Sequence, residues 1–329
     1  MRTLIIFVCF VAMLSSCSSD GCREIPNTKG IEVDIKIERL EQELFSLPSQ
    51  EAVMDFLQEH QSFARLFLFS EEYPNDSILA ASIYKVINDP HIDTLYQETL
   101  AEFAEMEILE LEFAEAFENI KSFYPQFTVP KIQTAVTGFA NDMYVSDSLI
   151  IIGLDYFVGD NATFRPVDLP QYILDRYQKE YIVPSIVLIL SNQFNNTEVR
   201  DKTLLAEMIY YGKAYYFTSR VLPCTNDSLL IGYTGEDMIE VNENEDIIWA
   251  SFLHNQILYE TDHEMKKKFI GERPKVHEIG EKCPGRIGTW VGWEIVQSFM
   301  NSHDKVTLQE LMKNPDAKAI FQTSKYNPM

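Results

Sequence analysis

Apolar residues recur along this chain with two different periods, and the changes of period mark its parts. From Glu38 to Lys121 they return every three or four positions, the spacing of a helix face turned toward a core. That spacing predicts helices over 38–45, 51–66 (Val53, Phe56, Leu57, Phe63, Leu66) and 78–87. A long acidic helix over 91–121 follows, with Leu95, Leu100, Phe103, Met106, Leu109, Phe113 and Phe117 as its stripe. Past Pro125 the pattern shortens. Lys131–Thr137, Asp142–Val145 and Leu149–Gly153 are brief, β-branched and apolar, with Ser146-Asp147-Ser148 as a turn, and predict a small antiparallel sheet containing a hairpin. Helical spacing then resumes over 170–179, 184–190 and 198–221, the last closed by Pro223. Thr234 caps another helix, one runs over 245–259, one opens at Pro284 and reaches Met300, and two short ones begin at Thr307 and Asn314. The expected fold class is α+β and mainly helical. Neither an internal repeat nor a linker interrupts a single domain over 32–329.

The first residues break this picture. Met1-Arg2-Thr3 is short and cationic, and Leu4–Met13 is almost wholly apolar but too short to span a bilayer. Leu14-Ser15-Ser16-Cys17 then matches a bacterial lipobox, in which the cysteine is diacylated and becomes the first mature residue. Residues 1–16 therefore read as a lipoprotein signal peptide, and 17–31, rich in Ser, Asp, Gly and Pro, as lipid anchor and tether. An ordinary secretory signal with a chance cysteine would not need all four residues in place. Lipid on Cys17 makes the membrane a partner without a spanning helix. It also places the chain in the cell envelope, facing the periplasm.

Charge and cysteines narrow the choice further. A net charge of -23 argues against nucleic acid and against a basic patch for anionic lipid. Glu102, Glu105, Glu112 and Glu115 read as a solvated helix face rather than a cation site. Cleavage leaves Cys17, Cys22, Cys224 and Cys283, with no C-x-x-C, so a disulfide scaffold is excluded and one bridge stays open.

The stretch with most chemistry in its outline is Leu204–Ala214. A zinc-peptidase helix carries H-E-x-x-H, which projects two imidazoles from one face. Here Ala206 and Tyr210 occupy those positions and only the central Glu207 remains. Alanine has no lone pair, and a phenol is mostly protonated at neutral pH. Glu207 alone would pass for a surface glutamate, yet its neighbours Leu204, Leu205, Met208 and Ile209 are apolar, and Lys202 or Lys213 would have to balance it. None of the histidines has an i+4 histidine partner. No P-loop, dinucleotide fingerprint or nucleophile elbow is present, and Glu240–Asp246 lacks calcium-loop spacing. No cofactor and no metal is expected.

Several stretches together resemble a known family. They are Ile150–Gly159, Ile182-Val183-Pro184, Leu204–Pro223, Ile248-Trp249 and the Pro284-Gly285-Arg286-Ile287-Gly288-Thr289-Trp290-Val291-Gly292-Trp293 block. Their order, with the lipobox, is similar to the gliding-motility lipoprotein GldB family of Bacteroidetes. That family in turn resembles predicted zinc peptidases of zincin type. The resemblance implies a zincin-like domain with a degenerate site at Ala206, Glu207 and Tyr210, and with Glu245 standing where a third metal ligand would come from. It implies a pseudo-metallopeptidase: a non-catalytic envelope protein of the gliding motility and associated secretion machinery, with envelope proteins as partners. Two alternatives stay open, a zinc-dependent peptidase with an unusual site around Glu207 and Glu245, and a lipoprotein that binds glycans or peptides near Trp290. Pro284, Gly285, Arg286, Gly288, Trp290 and Trp293 read as close packing, with Arg286 the member expected to touch a partner.

Overall fold

The computed structural model describes residues 21–328. The signal peptide expected over 1–16 and the lipidation expected at Cys17 lie outside these residues. The fold is α+β and mainly helical, with a small four-stranded sheet.

Strand β1 (Ile37–Arg39) leads directly into α1 (Leu40–Phe45), where a single helix over 38–45 was expected. A three-residue segment gains little as helix, whereas Ile37–Arg39 can pair along Ile132–Thr134 of another strand. Helices α2 (Gln50–Glu59), α3 (Gln61–Leu66) and α4 (Asp76–Ile87) follow, the first two separated by a non-helical His60. The expected acidic helix is two, α5 (Pro90–Glu102) and α6 (Met106–Phe123), because the chain turns at Phe103 to bury that ring. The remaining strands are β2 (Lys131–Ala135), β3 (Met143–Val145) and β4 (Leu149–Gly153).

The sheet has the order β1-β2-β4-β3. The expected hairpin is present as the antiparallel β3–β4 pair, but β1–β2 and β2–β4 are parallel, so the sheet is mixed rather than antiparallel. Burial on both faces accounts for this. Ile132, Ile150 and Ile152 pack into one core and Ala135, Leu149 and Ile151 into another, so β4 reads as a continuous apolar run, the mark of covered parallel strands. The smaller core lies between the sheet and α1–α4, and the larger one holds α6 and nearly everything C-terminal to the sheet.

That C-terminal part comprises α7 (Gln171–Leu174), α8 (Ile182–Leu190), α9 (Leu204–Val221), α10 (Asp227–Ile231), α11 (Gly235–Glu243) and α12 (Glu245–His254). It continues with α13 (His263–Ile270), α14 (Ile287–Ser302), α15 (Leu308–Lys313) and α16 (Ala317–Ser324). Sequence periodicity missed α10 and α13, both too short for a stripe of their own. Helices α9 and α14 form its axis, and they meet backbone to backbone. A Cβ added to Gly212 would fall inside the carbonyl of Gly292, and one on Gly292 inside the carbonyl of Met208. Only glycine permits this approach.

Cys22 and Cys224 form a disulfide across 202 positions, while Cys283 is free and buried. The Arg23 N–H donates to the Pro223 carbonyl at 2.8 Å, and Arg220 pairs with Glu24 at 2.8 Å. The segment expected to be a tether is thus fastened, from Cys22 onward, to the loop that follows α9.

Candidate functional site

Glu207 sits in the first turn of α9, where an acid complements the helix dipole. The turn is well capped: the Thr203 hydroxyl accepts from the Ala206 N–H at 3.2 Å and donates to Asp201 at 2.6 Å. The carboxylate of Glu207 forms a close ion pair with the Nζ of Lys266 on α13, and that Nζ also donates to the Lys202 carbonyl at 2.7 Å. Lys266 is 6% exposed and Glu207 35%. Neither ammonium group named from sequence balances the charge, because Lys202 supplies only its carbonyl and Lys213 is occupied elsewhere. Lys266 was not foreseen, since it comes from a helix whose periodicity was too short to see.

Lys213 is itself buried, and its Nζ donates to the carbonyls of Asn196, Met312 and Asn314 at 2.6, 3.4 and 2.9 Å. It ties α9 to the loop before it and to the end of α15. Burial depresses its pKa to about 8. Ala206, Glu207, Tyr210 and Lys213 border one cleft of about 360 Å3. In it the Tyr210 hydroxyl donates to Asn192 Oδ1 at 2.5 Å, and the Tyr210 carbonyl accepts from Asn195 at 2.9 Å. Burial raises the pKa of this phenol, which keeps it a neutral donor rather than an anionic ligand.

Glu245, at the start of α12, faces Glu294 of α14. Burial, and then the charge of Glu245, raise the Glu294 pKa to about 7. The same Glu245 carboxylate lies against Tyr326, whose phenol is held protonated by burial and by Glu245. Among the described residues, Glu245 and Glu207 share no grouping of metal-ligand side chains. The one cluster there with metal-ligand spacing is Glu43 of α1, Glu59 of α2 and the non-helical His60, far from Glu207 in sequence.

The Pro284–Trp293 block has two sides. Trp290 and Trp293 are each 1% exposed, and Trp293 stacks on Tyr215 of α9 with ring centroids 5.5 Å apart. They are core, which removes them as a platform for sugar or peptide. Gly285 lies against the Arg273 carbonyl with no room for a larger side chain, Gly288 packs tightly on Phe269 and Ile270 of α13, and Pro284 is buried beside them. Arg286 is different. It caps α14 in a left-handed conformation, φ 56°, an unusual state for a residue with a side chain. Its guanidinium donates to the Tyr215 hydroxyl at 3.1 Å and the Ile231 carbonyl at 2.6 Å, and its Nε lies 3.5 Å from Glu272. Glu272 is already held by both terminal nitrogens of Arg176, at 3.1 and 2.8 Å. A cleft of about 490 Å3 opens in front of Arg176, Arg286 and Glu272. Arg286 was singled out in sequence as the member expected to touch a partner, and it borders this cleft, but Arg176 and Glu272 carry no motif that would single them out.

A family model described as gliding motility protein GldB matches residues 21–328, and the chain belongs to that family. No curated protein and no solved structure matches it.

Proposed function

We propose that this member of the gliding motility protein GldB family is a lipid-anchored, non-catalytic part of the gliding and associated secretion machinery. Membership ties the chain to gliding motility. Its zincin-like domain would act through contacts with other envelope proteins, held at the membrane by lipid on Cys17. The observation that carries the non-catalytic reading is the Glu207–Lys266 ion pair. A zincin glutamate works by taking a proton from a metal-bound water, which requires three protein ligands around the metal and a free carboxylate beside it. Here the carboxylate is engaged by an ammonium, and the flanking ligand positions are Ala206 and a neutral Tyr210. The Cys22–Cys224 bridge supports an oxidising compartment such as the periplasm. None of the helices among the described residues is long and apolar enough to cross a membrane, and the proposed anchor is the lipid.

The test combines motility with metal analysis. In cells lacking the native protein, Glu207→Gln is expected to restore gliding as the parent chain does, whereas Cys17→Ala is expected to fail. Purified parent protein that holds stoichiometric zinc, and whose proteolysis is abolished by Glu207→Gln, would overturn the reading.

A further inference from the structure

We infer that the cleft in front of Arg286 binds a carboxylate carried on an apolar body. The inference goes beyond the proposed role and does not depend on the lipid anchor or on the absence of catalysis. It begins with unequal charge. Two guanidiniums, Arg176 and Arg286, face one carboxylate, Glu272, and Arg176 takes both of its oxygens. Arg286 is left to neutral acceptors, the Tyr215 hydroxyl and the Ile231 carbonyl, with only 13% of its side chain exposed. A largely buried cation without its own anion is costly, and an incoming carboxylate would relieve that cost with charge-assisted hydrogen bonds. The Tyr215 oxygen accepts from Arg286, which leaves its proton to donate, and the Ser185 hydroxyl also borders the cleft.

The other charged group on the cleft is Asp142, whose Oδ2 accepts the Tyr177 hydroxyl at 2.5 Å. It disfavours a second anionic group and so fixes the ligand with its single acidic end toward Arg286. Met143, Leu169, Ile173, Leu188, Ile189 and Leu229 make the rest of the wall apolar. A volume of about 490 Å3 falls within the range of small-ligand clefts. The surplus is local to the Arg176–Glu272–Arg286 cluster, since Asp142 balances the cleft as a whole, and one local positive charge matches a carboxylate better than a phosphate dianion. Two sources offer this chemistry, a fatty acid and the C-terminal residues of a peptide.

Calorimetric titration of the mature, disulfide-bonded chain with decanoate, decanol, and an acetylated leucine-rich tripeptide as acid and as amide tests the inference. At least one acid is expected to bind with a Kd below about 1 mM, and its neutral analogue about tenfold more weakly or worse. Preference for decanoate names a lipid source, and preference for the peptide acid names a chain terminus. Two substitutions at partly exposed positions should move affinity in opposite directions. Arg176→Gln releases Glu272 to Arg286 and weakens the acid about tenfold, whereas Glu272→Gln enlarges the surplus and tightens it. Failure of both acids to bind, equal binding of acid and neutral analogue, or a same-direction response of the two variants would each overturn the inference.

Discussion

Glu207 and Arg286 are both charged, both packed near the α9–α14 contact, and differently resolved. Glu207 meets one ammonium, Lys266, which also spends a hydrogen bond on the Lys202 carbonyl. Charge is matched one to one, and the helix dipole assists the acid. Arg286 shares Glu272 with Arg176, two cations to one anion, and a cleft lies open before it. At Glu207 the chain supplies its own counterion, so the charge is already balanced within the fold. At the start of α14 the charge is unfinished, and an outside group can complete it.

Both sites hang on the approach of α9 to α14, so separating those helices is expected to do the most damage. Gly292→Val would place a branched side chain inside the Met208 carbonyl. The expected loss exceeds about 4 kcal/mol, among the largest effects of a single substitution, and should appear in urea unfolding as a chain that is mostly unfolded or insoluble. A well-folded Gly292→Val variant with a midpoint close to the parent would mean that the two sites do not share this frame.

The frame itself was largely legible. Leu204–Val221 lies inside the helix predicted over 198–221, and Ile287–Ser302 overlaps the one predicted from Pro284 to Met300. The hairpin was legible for the same reason, since a short β-branched run beside a three-residue turn has few alternatives. Parallel pairing of β1 with β2 was not, because it joins residues 37–39 to 132–134 across all of the first helical layer. The partners of the charged residues were hidden likewise. Lys266, Arg176 and Glu272 are ordinary surface residue types in sequence, and only the fold brings them to Glu207 and Arg286. The zincin resemblance directed attention to Glu245 as a companion of Glu207, whereas the neighbour of Glu245 is Glu294.

Glu294 is a third case, a largely buried acid with no cation paired to it among the described residues. Its raised pKa, about 7, means that the folded state keeps a proton which the unfolded state releases near the usual glutamate range. Its effect on stability is therefore absent at low pH and becomes a loss as pH rises toward 7. The full penalty, reached above pH 7, is about 3 kcal/mol from a displacement of this size. Glu294→Gln should flatten that part of the pH–stability curve, measured by thermal melts between pH 5 and 8. A curve that keeps its slope in the Glu294→Gln variant would assign the effect to another group, with buried Asp155, its pKa raised to about 6, as the next to replace.

The smallest expected effects compare the two carboxylates directly. Glu207→Gln removes the counterion of a nearly buried lysine, and full burial would make that cost about 3–5 kcal/mol. Glu207 is about one-third exposed and Lys266 retains the Lys202 carbonyl, so a loss of about 1–2 kcal/mol is expected. Pairing Glu207→Gln with Lys266→Met should recover part of it, because no charge is then stranded. Glu272→Gln begins from a site where the anion is already outnumbered and is 44% exposed, and its cost should stay within about 0.5 kcal/mol. Chemical unfolding of the three variants and the double variant under one set of conditions makes the comparison. If Glu272→Gln costs as much as Glu207→Gln, the surplus charge at Arg286 is already balanced within the fold, as the charge of Glu207 is.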